Sequence, residues 1–378
     1  MIYIIIGTRA QLVKMAPVIK KIEFNNWPFL LINTGQHKEG IEEICRDFEI
    51  KTKWHYIYQN NDEVKTIFHA GKWLVKLFSR ITLHPESLLS EYNKSDHNVI
   101  IIHGDTFSTV IGALIGRRLG IKVAHVESGL RSFNLLNPFP EEINRLLTFR
   151  LANIAFCPGS WAMNNLKKYS HLKKIDTQNN TLIDSLSIAL NKPIQLSDNE
   201  YTIPANDYGV VSIHRFENIF LRNRLKTIVN QLQQIANHYP LIFVLHPATH
   251  KRLIKTNLLE ALIKNKNIEL RKRTGYFNFV KLLASSKFVI TDGGSNQEEL
   301  FYMNIPTFLM RNTTERQEGL STNVFIGNFS EKSLESFLDQ VKHYQKTEGL
   351  LLRPFESPTN LICNEIAFAS INYPETGN

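Results

Sequence analysis

Short runs of branched apolar residues alternate with longer helical stretches along most of this chain, and that alternation limits the folds open to it. The helices predicted in the first half include Val13–Phe24, Thr109–Leu119 and Glu141–Leu151. The strands predicted there are Ile2–Ile6, Phe29–Asn33, Val99–His103, Lys122–Val126 and Asn153–Cys157. Strands that alternate with helices are typical of βαβ units around a parallel sheet, so the first half is predicted to be an α/β domain.

The pattern weakens over residues 176–208, where Asn179-Asn180, Pro193 and Pro204 favour loops. We therefore expect a domain boundary there, with one domain over residues 1–185 and a second α/β domain over residues 186–358. The strands predicted in the second domain are Gly209–Ile213, Leu241–Leu245, Ile268–Leu270, Phe288–Thr291 and Thr307–Met310. The segment 52–97 is ambiguous, although Val64–Ile81 has the spacing of an amphipathic helix.

Composition narrows the class of protein further. The chain has 378 residues, of which 43% are hydrophobic and 21% charged, so it is long and apolar enough for two packed domains. No apolar run approaches the roughly 18 residues of a membrane span, and Met1–Ile6 is interpreted as a first strand and not a signal peptide. Cys45, Cys157 and Cys363 are too few and too scattered for a disulfide framework or a zinc site, which favours a reducing, cytoplasmic compartment.

The formal net charge of +9 is compatible with an anionic partner. The densest basic stretches, residues 167–174 and 271–273, are interrupted or short, so we interpret most of this charge as solvated surface. The remaining basic residues can bind an anionic small substrate. A nucleic-acid partner is not expected, because no basic face with interleaved aromatic residues is evident.

Polar, ionisable or glycine residues follow nearly every predicted strand. These strand-end segments are Gly7–Arg9, Thr34–His37, His103–Thr106, His125–Arg131, His214-Arg215, His246-Pro247 and Asp292–Ser295. Open parallel sheets bind ligands at the carboxyl ends of their strands. A single histidine at such a place is usually a turn or capping residue, but the recurrence in both halves predicts an active site in a cleft between the domains.

Three of these features suggest specific chemistry. The turn that begins Asp292-Gly293-Gly294-Ser295 leads into a helix, whose N-terminal amides suit a phosphate, and Glu298 or Glu299 can reach ribose hydroxyls. Asp105 and Glu127 can divide acid and base duties if they face one site. The segment Pro138–Arg145 is explained by a helix start alone, since Glu141 and Glu142 suit the positive first turn.

Taken in order, these motifs resemble the bacterial UDP-N-acetylglucosamine 2-epimerases of the non-hydrolysing kind. The resemblance covers nearly the whole chain. The matching motifs are Gly7–Arg9, Lys14–Pro17, Thr34–His37, His103–Thr106, His125–Arg131, Pro138–Arg145, His214–Asn218, Asp292–Glu299 and Met310–Arg316. Any one of them is modest support, whereas the ordered set is specific.

The resemblance implies two Rossmann-like domains in the glycosyltransferase-B architecture, with a final helix over about 359–378 packed back on the first domain. It also implies a UDP-sugar substrate, no metal or other cofactor, and a homodimer in the cytoplasm. The implied reaction begins when a base removes the proton at C2 and UDP leaves C1. Protonation on the other face and the return of UDP then give the epimer.

The resemblance also assigns roles to residues. The acid–base and charge-handling set would be Asp105, Glu127, Glu141 and His214. The remaining substrate-binding residues would be Arg9, Lys14, Arg145, Arg215, His246, Gly293, Gly294, Ser295, Glu299 and Arg316. Among them, Arg9, Lys14 and the Gly293–Ser295 turn would hold the diphosphate, and Glu299 the ribose.

Two loops depart from the family pattern. Ala10 and Gln11 stand where the family usually has Pro and Glu, and Gly293-Gly294-Ser295 replaces the usual Ser-Gly-Gly. These departures leave open a different UDP-2-acetamido sugar. They also leave open a catalytically inactive UDP-sugar-binding protein. A hydrolysing epimerase that releases free sugar and UDP is a further alternative, disfavoured because Gln36-His37, Ser128–Arg131 and Pro138–Arg145 resemble the non-hydrolysing pattern. A glycosyltransferase on the same fold is disfavoured by the Asp105 and Glu127 pair and by the Pro138–Arg145 motif.

Overall fold

The computed structural model describes residues 1–35, 40–57, 79–89, 92–135, 139–193, 202–314, 316–320, 322–344, 351 and 356–370. The chain divides into two compact units. The first unit comprises Met1–Ser185 with Glu356–Asn378, and the second unit comprises Leu186–Phe355.

The first unit is built on a seven-stranded sheet in which all neighbouring strands are parallel. Its strands are β1 (Ile2–Ile6), β2 (Phe29–Asn33), β3 (Trp54–Tyr56), β4 (Val99–His103), β5 (Lys122–Val126), β6 (Ile154–Cys157) and β7 (Lys173–Asp176). The strand order is β3-β2-β1-β4-β5-β6-β7, so the order reverses between β1 and β4. Every residue of β1 and β4 is buried, as expected for central strands that are covered on both faces.

Helices connect these strands. The helices of the first unit include α1 (Arg9–Phe24), α2 (Ile41–Asp47), α3 (Phe107–Leu119), α4 (Glu141–Leu151) and α5 (Ser160–Asn165), with a short 3₁₀ helix over Pro85–Leu88. Helix α6 (Leu182–Asn191) runs across the division between the two units. Thr8 and Gln11 form a capping box at the start of α1, and Gly120 ends α3 with a φ of 68° that favours glycine.

The last described helix, α14 (Pro358–Ser370), packs against α1 in the first unit. Its second residue, Thr359, donates its N–H to Asp184 Oδ2 at 2.9 Å, and Glu365 pairs with Lys173. The C-terminal part of the chain therefore belongs to the core of the first unit, where Ile362 and Ile366 are completely buried.

The second unit contains a six-stranded parallel sheet. Its strands are β8 (Gly209–Ser212), β9 (Leu241–Leu245), β10 (Ile268–Lys272), β11 (Phe288–Thr291), β12 (Thr307–Leu309) and β13 (Val324–Ile326). The order is β10-β9-β8-β11-β12-β13, so this sheet reverses between β8 and β11. Its helices are α7 (Phe216–Ile219), α8 (Arg222–Ala236), α9 (Pro247–Lys255), α10 (Leu259–Lys264), α11 (Tyr276–Ala284), α12 (Gly294–Tyr302) and α13 (Glu331–His343).

The prediction of a loop over residues 176–208 is wrong for its middle part, because α6 lies there. The apolar residues of α6 recur at helical spacing, and Leu182, Ile183 and Leu186 are buried. Three strands were also missed: β3, β7 and β13. Most of the predicted helix Val64–Ile81 lies outside the described residues. Among the residues that the structure describes, no helix is both long and apolar enough to cross a membrane.

Candidate active site

The point where strand order reverses is where a parallel sheet opens a crevice for ligands. In the first unit, Gly7 follows β1 and Asp105 follows β4, on either side of that point. A Cβ atom on Gly7 would lie only 1.7 Å from Ser108 Oγ. Glycine is therefore required at position 7 by the close approach of the start of α3.

Glu127, directly after β5, faces two basic side chains. Lys14 Nζ lies 2.6 Å from Glu127 Oε2, and both side chains are nearly fully buried. His103 Nε2 lies 3.1 Å from the same oxygen. Glu127 has a φ of 60°, a left-handed conformation that costs a non-glycine residue about 1–3 kcal/mol. The carboxylate of Glu127 is thus buried and paired with a cation, on a backbone in a strained conformation.

Asp105 belongs to a second chain of charged contacts. Arg145 donates to Asp105 Oδ2 at 2.5 Å and to Glu142 Oε2 at 3.2 Å. Arg131 donates to the other oxygen of Glu142. Burial acts to raise the pKa of Glu142, but the Ser132 N–H and the two guanidinium groups outweigh it, so that pKa lies below its ordinary value. Glu142 is therefore a buried carboxylate that stays ionised.

Glu141 and His125 lie in the same unit. Glu141 is the first residue of α4, and its Oε2 atom is buried without a hydrogen-bond partner among the described residues. His125 Nε2 lies 2.7 Å from the carbonyl oxygen of Gly104. Burial lowers the pKa of His125 to about 4, so this imidazole is neutral at ordinary pH.

Gln11 explains one departure from the family pattern. Its Oε1 atom accepts the N–H groups of Gly7 and Thr8 at 3.0 and 3.2 Å. Its Nε2 atom donates to the carbonyl oxygen of His103 at 2.6 Å and to Thr109 Oγ1 at 3.2 Å. A carboxylate has no N–H to donate. The amide therefore ties the loop after β1 to the loop after β4, on both sides of the reversal in strand order.

In the second unit, a buried carboxylate organises the loop after β8. Asp292 Oδ2 accepts the backbone N–H of Arg215 at 2.9 Å and the side-chain amide of Asn218 at 2.9 Å. Its Oδ1 atom accepts the backbone N–H of His214 at 3.0 Å and lies 3.3 Å from His214 Nδ1. Asp292 is fully buried, whereas 40% of the His214 side chain is exposed. The imidazole is thus anchored on one side and open on the other.

Helix α12 begins beside this histidine. Gly293 is its N-cap, and a Cβ atom there would lie 2.8 Å from Asn296 Oδ1 and 3.1 Å from His214 Cε1. Because the first turn of a helix has amides without carbonyl partners, Gly294 and Ser295 lie at an end suited to an anion. Asn296 fills the space that a side chain on residue 293 would need, which accounts for the altered order of glycine and serine.

The other predicted binding residues of the second unit make local contacts. Glu299 accepts from Asn296 Nδ2 at 2.9 Å, and Arg316 lies 2.6 Å from Glu298 Oε2. Arg215 Nε lies 2.7 Å from Glu217 Oε1. His246 is the N-cap of α9, and its ring centroid is 5.7 Å from that of His214.

The structure therefore distributes the predicted site residues over two groups, one in each unit. The first group contains Arg9, Lys14, Asp105, Glu127, Glu141 and Arg145, and the second contains His214, Arg215, His246, Gly293, Gly294, Ser295, Glu299 and Arg316. Arg9 lies 2.8 Å from Glu43 Oε2 and is half-buried. Four residues of the motifs, Gln36, His37, Pro138 and Glu315, lie outside the described residues.

Sequence reasoning did not assign roles to His103, Glu142, Gln11 and Asp292 in this arrangement. The position of Asp292 directly after a central strand was visible, but its bonds to a loop 78 residues earlier were not. Within the described ranges, no group of three or more His, Cys, Asp or Glu side chains is placed to hold a metal ion. All three cysteines are free thiols.

Comparison with known proteins identifies the relatives of this chain. The family model described as UDP-N-acetylglucosamine 2-epimerase matches residues 20–352. A UDP-N-acetylglucosamine 2-epimerase from Methanocaldococcus jannaschii is 34% identical over 361 residues, which cover 92% of this chain and 94% of the relative. A UDP-2,3-diacetamido-2,3-dideoxy-D-glucuronate 2-epimerase from Pseudomonas aeruginosa is 31% identical over 343 residues, covering 88% of this chain and 90% of that protein.

Structural similarity agrees with these sequence matches. The crystal structure of the M. jannaschii UDP-GlcNAc 2-epimerase in complex with UDP-GlcNAc and UDP has a TM-score of 0.79 and 28% identity, and covers 97% of this chain and 99% of that chain. The predicted fold class, α/β with two Rossmann-like domains, is confirmed by the two parallel sheets and by this similarity. The chain belongs to the UDP-N-acetylglucosamine 2-epimerase family.

Proposed function

We propose that this protein is a non-hydrolysing epimerase that interconverts UDP-N-acetylglucosamine and UDP-N-acetylmannosamine, or a closely related UDP-2-acetamido sugar. The observation that carries the proposal is the set of three carboxylates in the first unit, Asp105, Glu127 and Glu141, together with a helix start suited to an anion in the second. Family membership supports the reaction class. The P. aeruginosa relative, whose name specifies a diacetamido sugar acid, is the reason for keeping the sugar class broad.

The reaction begins with a weakly acidic proton on C2, which requires a positioned base. Asp105, 28% exposed, and Glu141, whose Oε2 atom has no partner among the described residues, are the carboxylates best placed to take and return a proton. As the proton leaves, the C2 electron pair forms a C1–C2 double bond and the C1–O bond breaks. UDP departs as the anion and a glycal remains.

Glu127 is assigned a different role from Asp105 and Glu141. Lys14 balances its charge at 2.6 Å and His103 faces the same oxygen at 3.1 Å. We assign it to holding these basic groups and to balancing charge as the proton moves. Protonation of C2 on the opposite face and attack of the UDP oxygen on C1 complete the epimerisation.

The second unit supplies the groups that stabilise departing UDP. The amides at the start of α12 and the imidazole of His214 suit negative charge on the diphosphate. Glu299, buried in α12 and hydrogen-bonded to Asn296, is assigned to the ribose. Arg9, Lys14, Arg145, Arg215, His246 and Arg316 complete the proposed binding set.

The test is proton NMR of the purified protein with UDP-N-acetylglucosamine in deuterated water. The proposal predicts deuterium at C2 and a second UDP-sugar anomeric signal, with no accumulation of free sugar. Free N-acetylmannosamine and UDP would instead show a hydrolysing epimerase. Binding of UDP without exchange or a new sugar signal would show an inactive UDP-sugar-binding protein.

We also propose that the protein acts in the cytoplasm as a homodimer. The resemblance to this family supports both points, and three free thiols are in keeping with a reducing compartment. Light scattering at micromolar concentration would reveal a monomer if the second point is wrong. Fractionation of cells that express the tagged chain tests the first.

A further inference from the structure

The strongest unexplained feature is Glu142, a carboxylate with no exposed side-chain surface. A glutamate in the first turn of a helix is usually explained by the positive end of the helix dipole. Here its oxygens accept instead from Arg131, Arg145 and both the N–H and the hydroxyl of Ser132. The carboxylate of Glu142 therefore bonds two arginine side chains and Ser132, and not the first amides of its own helix, among the described residues.

These contacts form a linear network of alternating charge. Arg131 bonds one oxygen of Glu142, Arg145 bonds the other, and the second amino group of Arg145 bonds Asp105. Two guanidinium groups and two carboxylates sum to zero charge. Glu142 is the most buried member of the network, and Asp105, at one end, is the most exposed.

We propose that Glu142 is a positioning residue for the epimerisation: it fixes Arg145 and shares its charge, so that Asp105 is oriented for proton transfer but not neutralised by a dedicated cation. This inference rests on the proposed function, because it concerns the proton transfer assigned to Asp105. Without Glu142, Asp105 would be the remaining carboxylate of this network paired with Arg145. An opposite charge nearby favours the ionised carboxylate and makes it a weaker base.

Other charged groups surround this network and are kept constant in the test. His125 of β5 interacts electrostatically with Arg145, Glu127 and His103. The carbonyl oxygen of Asp105 accepts from Asn144 at 2.9 Å, which holds the backbone independently of Glu142. Glu142→Gln therefore removes a negative charge beside Arg145 without removing the backbone anchor of Asp105.

The informative variant is Glu142→Gln. An amide offers one acceptor atom and one donor atom, whereas Arg131, Ser132 and Arg145 all donate to Glu142, so at least one contact is lost. We expect kcat to fall by about 10- to 100-fold, as a misplacement of about 1 Å does elsewhere, with KM changed less than about threefold. The acid limb of the kcat/KM profile should move to lower pH. Glu142→Asp, which keeps the charge, should recover part of kcat and the wild-type acid limb.

Glu269→Gln is the matched control, because Glu269 also accepts from an arginine, Arg271, at 2.6 Å, but on β10 of the second unit. It should leave kcat and the pH profile unchanged. If the wild-type protein does not epimerise, the proposed function fails. If it does epimerise, either of two results would show that the inference is wrong. One is a folded Glu142→Gln variant with wild-type kcat. The other is a Glu142→Gln variant that loses activity with an unmoved acid limb and whose loss is not recovered in Glu142→Asp, which would make Glu142 only structural. Thermal unfolding of each variant identifies those that fail to fold.

Discussion

The two units place ionisable groups beside the same kind of strand reversal, yet they hold them in different ways. In the first unit, carboxylates pair with cations: Glu127 with Lys14, and Asp105 with Arg145, which also pairs with Glu142. In the second unit, the buried carboxylate of Asp292 bonds mainly backbone N–H groups and leaves His214 40% exposed. The contrast suggests that the first arrangement handles protons and the second receives an anion.

The difference follows from elementary electrostatics. A group that exchanges protons needs a defined charge environment, which buried ion pairs provide at a high cost of desolvation. A site for a diphosphate needs donors that point outward, which a helix start and a glycine turn provide.

The largest expected effect comes from Asp105→Asn in the first unit. Loss of the carboxylate should lower kcat by about 10³-fold, because an amide cannot take the C2 proton. UDP affinity should change little, since that function is assigned to the second unit. Solvent deuterium exchange at C2 and UDP calorimetry measure the two effects.

Asp207→Asn is the matched control for that variant, because Asp207 pairs with Lys287 in the second unit and is largely exposed. It should leave both activity and affinity unchanged. A tenfold loss of UDP affinity in Asp105→Asn, with exchange retained, would reverse the assignment of the two units.

A second effect concerns pH and the neutral imidazole of His125. Burial lowers its pKa to about 4 in the folded protein, below the value of about 6.5 expected in the unfolded chain. The unfolded state therefore binds the proton first as the pH falls. We therefore expect His125 to lower the free energy of unfolding by up to about 3 kcal/mol as the pH falls from 6.5 to 4. Above pH 6.5 this loss is absent.

Urea unfolding at several pH values checks this prediction. His125→Gln should lose less stability over the window than the wild-type protein. His171→Gln, whose imidazole also contacts a backbone carbonyl oxygen, should behave as the wild-type protein does. Equal acid sensitivity of the His125 variant and the wild-type protein would contradict the proposed origin of the effect.

Asp292→Asn tests the second unit. The carboxylate accepts bonds from His214, Arg215 and Asn218, and an amide cannot accept at both positions. The free energy of unfolding should fall by about 1–3 kcal/mol. UDP should also bind more weakly, because the loop that carries His214 loses its anchor.

The matched control for Asp292→Asn is Asp339→Asn on the exposed face of α13, which should change neither quantity. Unfolding curves and UDP titration of the two variants make the comparison. Wild-type stability in the Asp292 variant would show that the buried carboxylate does not organise this loop.

The smallest expected effect is that of Gly293→Ser, which restores the serine of the family pattern. Its Cβ atom would approach Asn296 Oδ1 and His214 Cε1. Both are side-chain atoms that can shift, at a cost of about 1 kcal/mol, so UDP affinity should fall only about fivefold. Tighter UDP binding than in the wild-type protein would show that the altered turn is a defect and not a local fit.

The sequence predicted the central strands of both sheets well, whereas of the edge strands it predicted only β10, and that one too short. β1, β2, β4, β5, β9 and β11 match the predicted ranges residue for residue. The three missed strands, β3, β7 and β13, all lie at the edge of a sheet. Edge strands are short and partly exposed, as in β7, whose Lys173 and Asp176 face solvent, so they lack the continuous apolar run of a buried strand.

The candidate site was predictable in its residue types but not in its contacts. Strand-end position drew attention to Asp105, Glu127 and His214 without any structure. The bond from Arg145 to Asp105 joins residues 40 positions apart, and the ion pair of Lys14 with Glu127 joins residues 113 apart. Such partners depend on tertiary packing, which neither periodicity nor spacing specifies. The assigned roles of these residues stay predictions.

The most direct test of the central claim is to follow the bond between C1 and the UDP oxygen. UDP-N-acetylglucosamine carrying ¹⁸O in that bridging position would be incubated with the protein, and ³¹P NMR would locate the label. Elimination and return of UDP predict that the label spreads to non-bridging oxygens of the β-phosphate, at a rate comparable with formation of the epimer. Formation of the epimer with the label retained in the bridge would show that UDP never leaves, and would contradict this account.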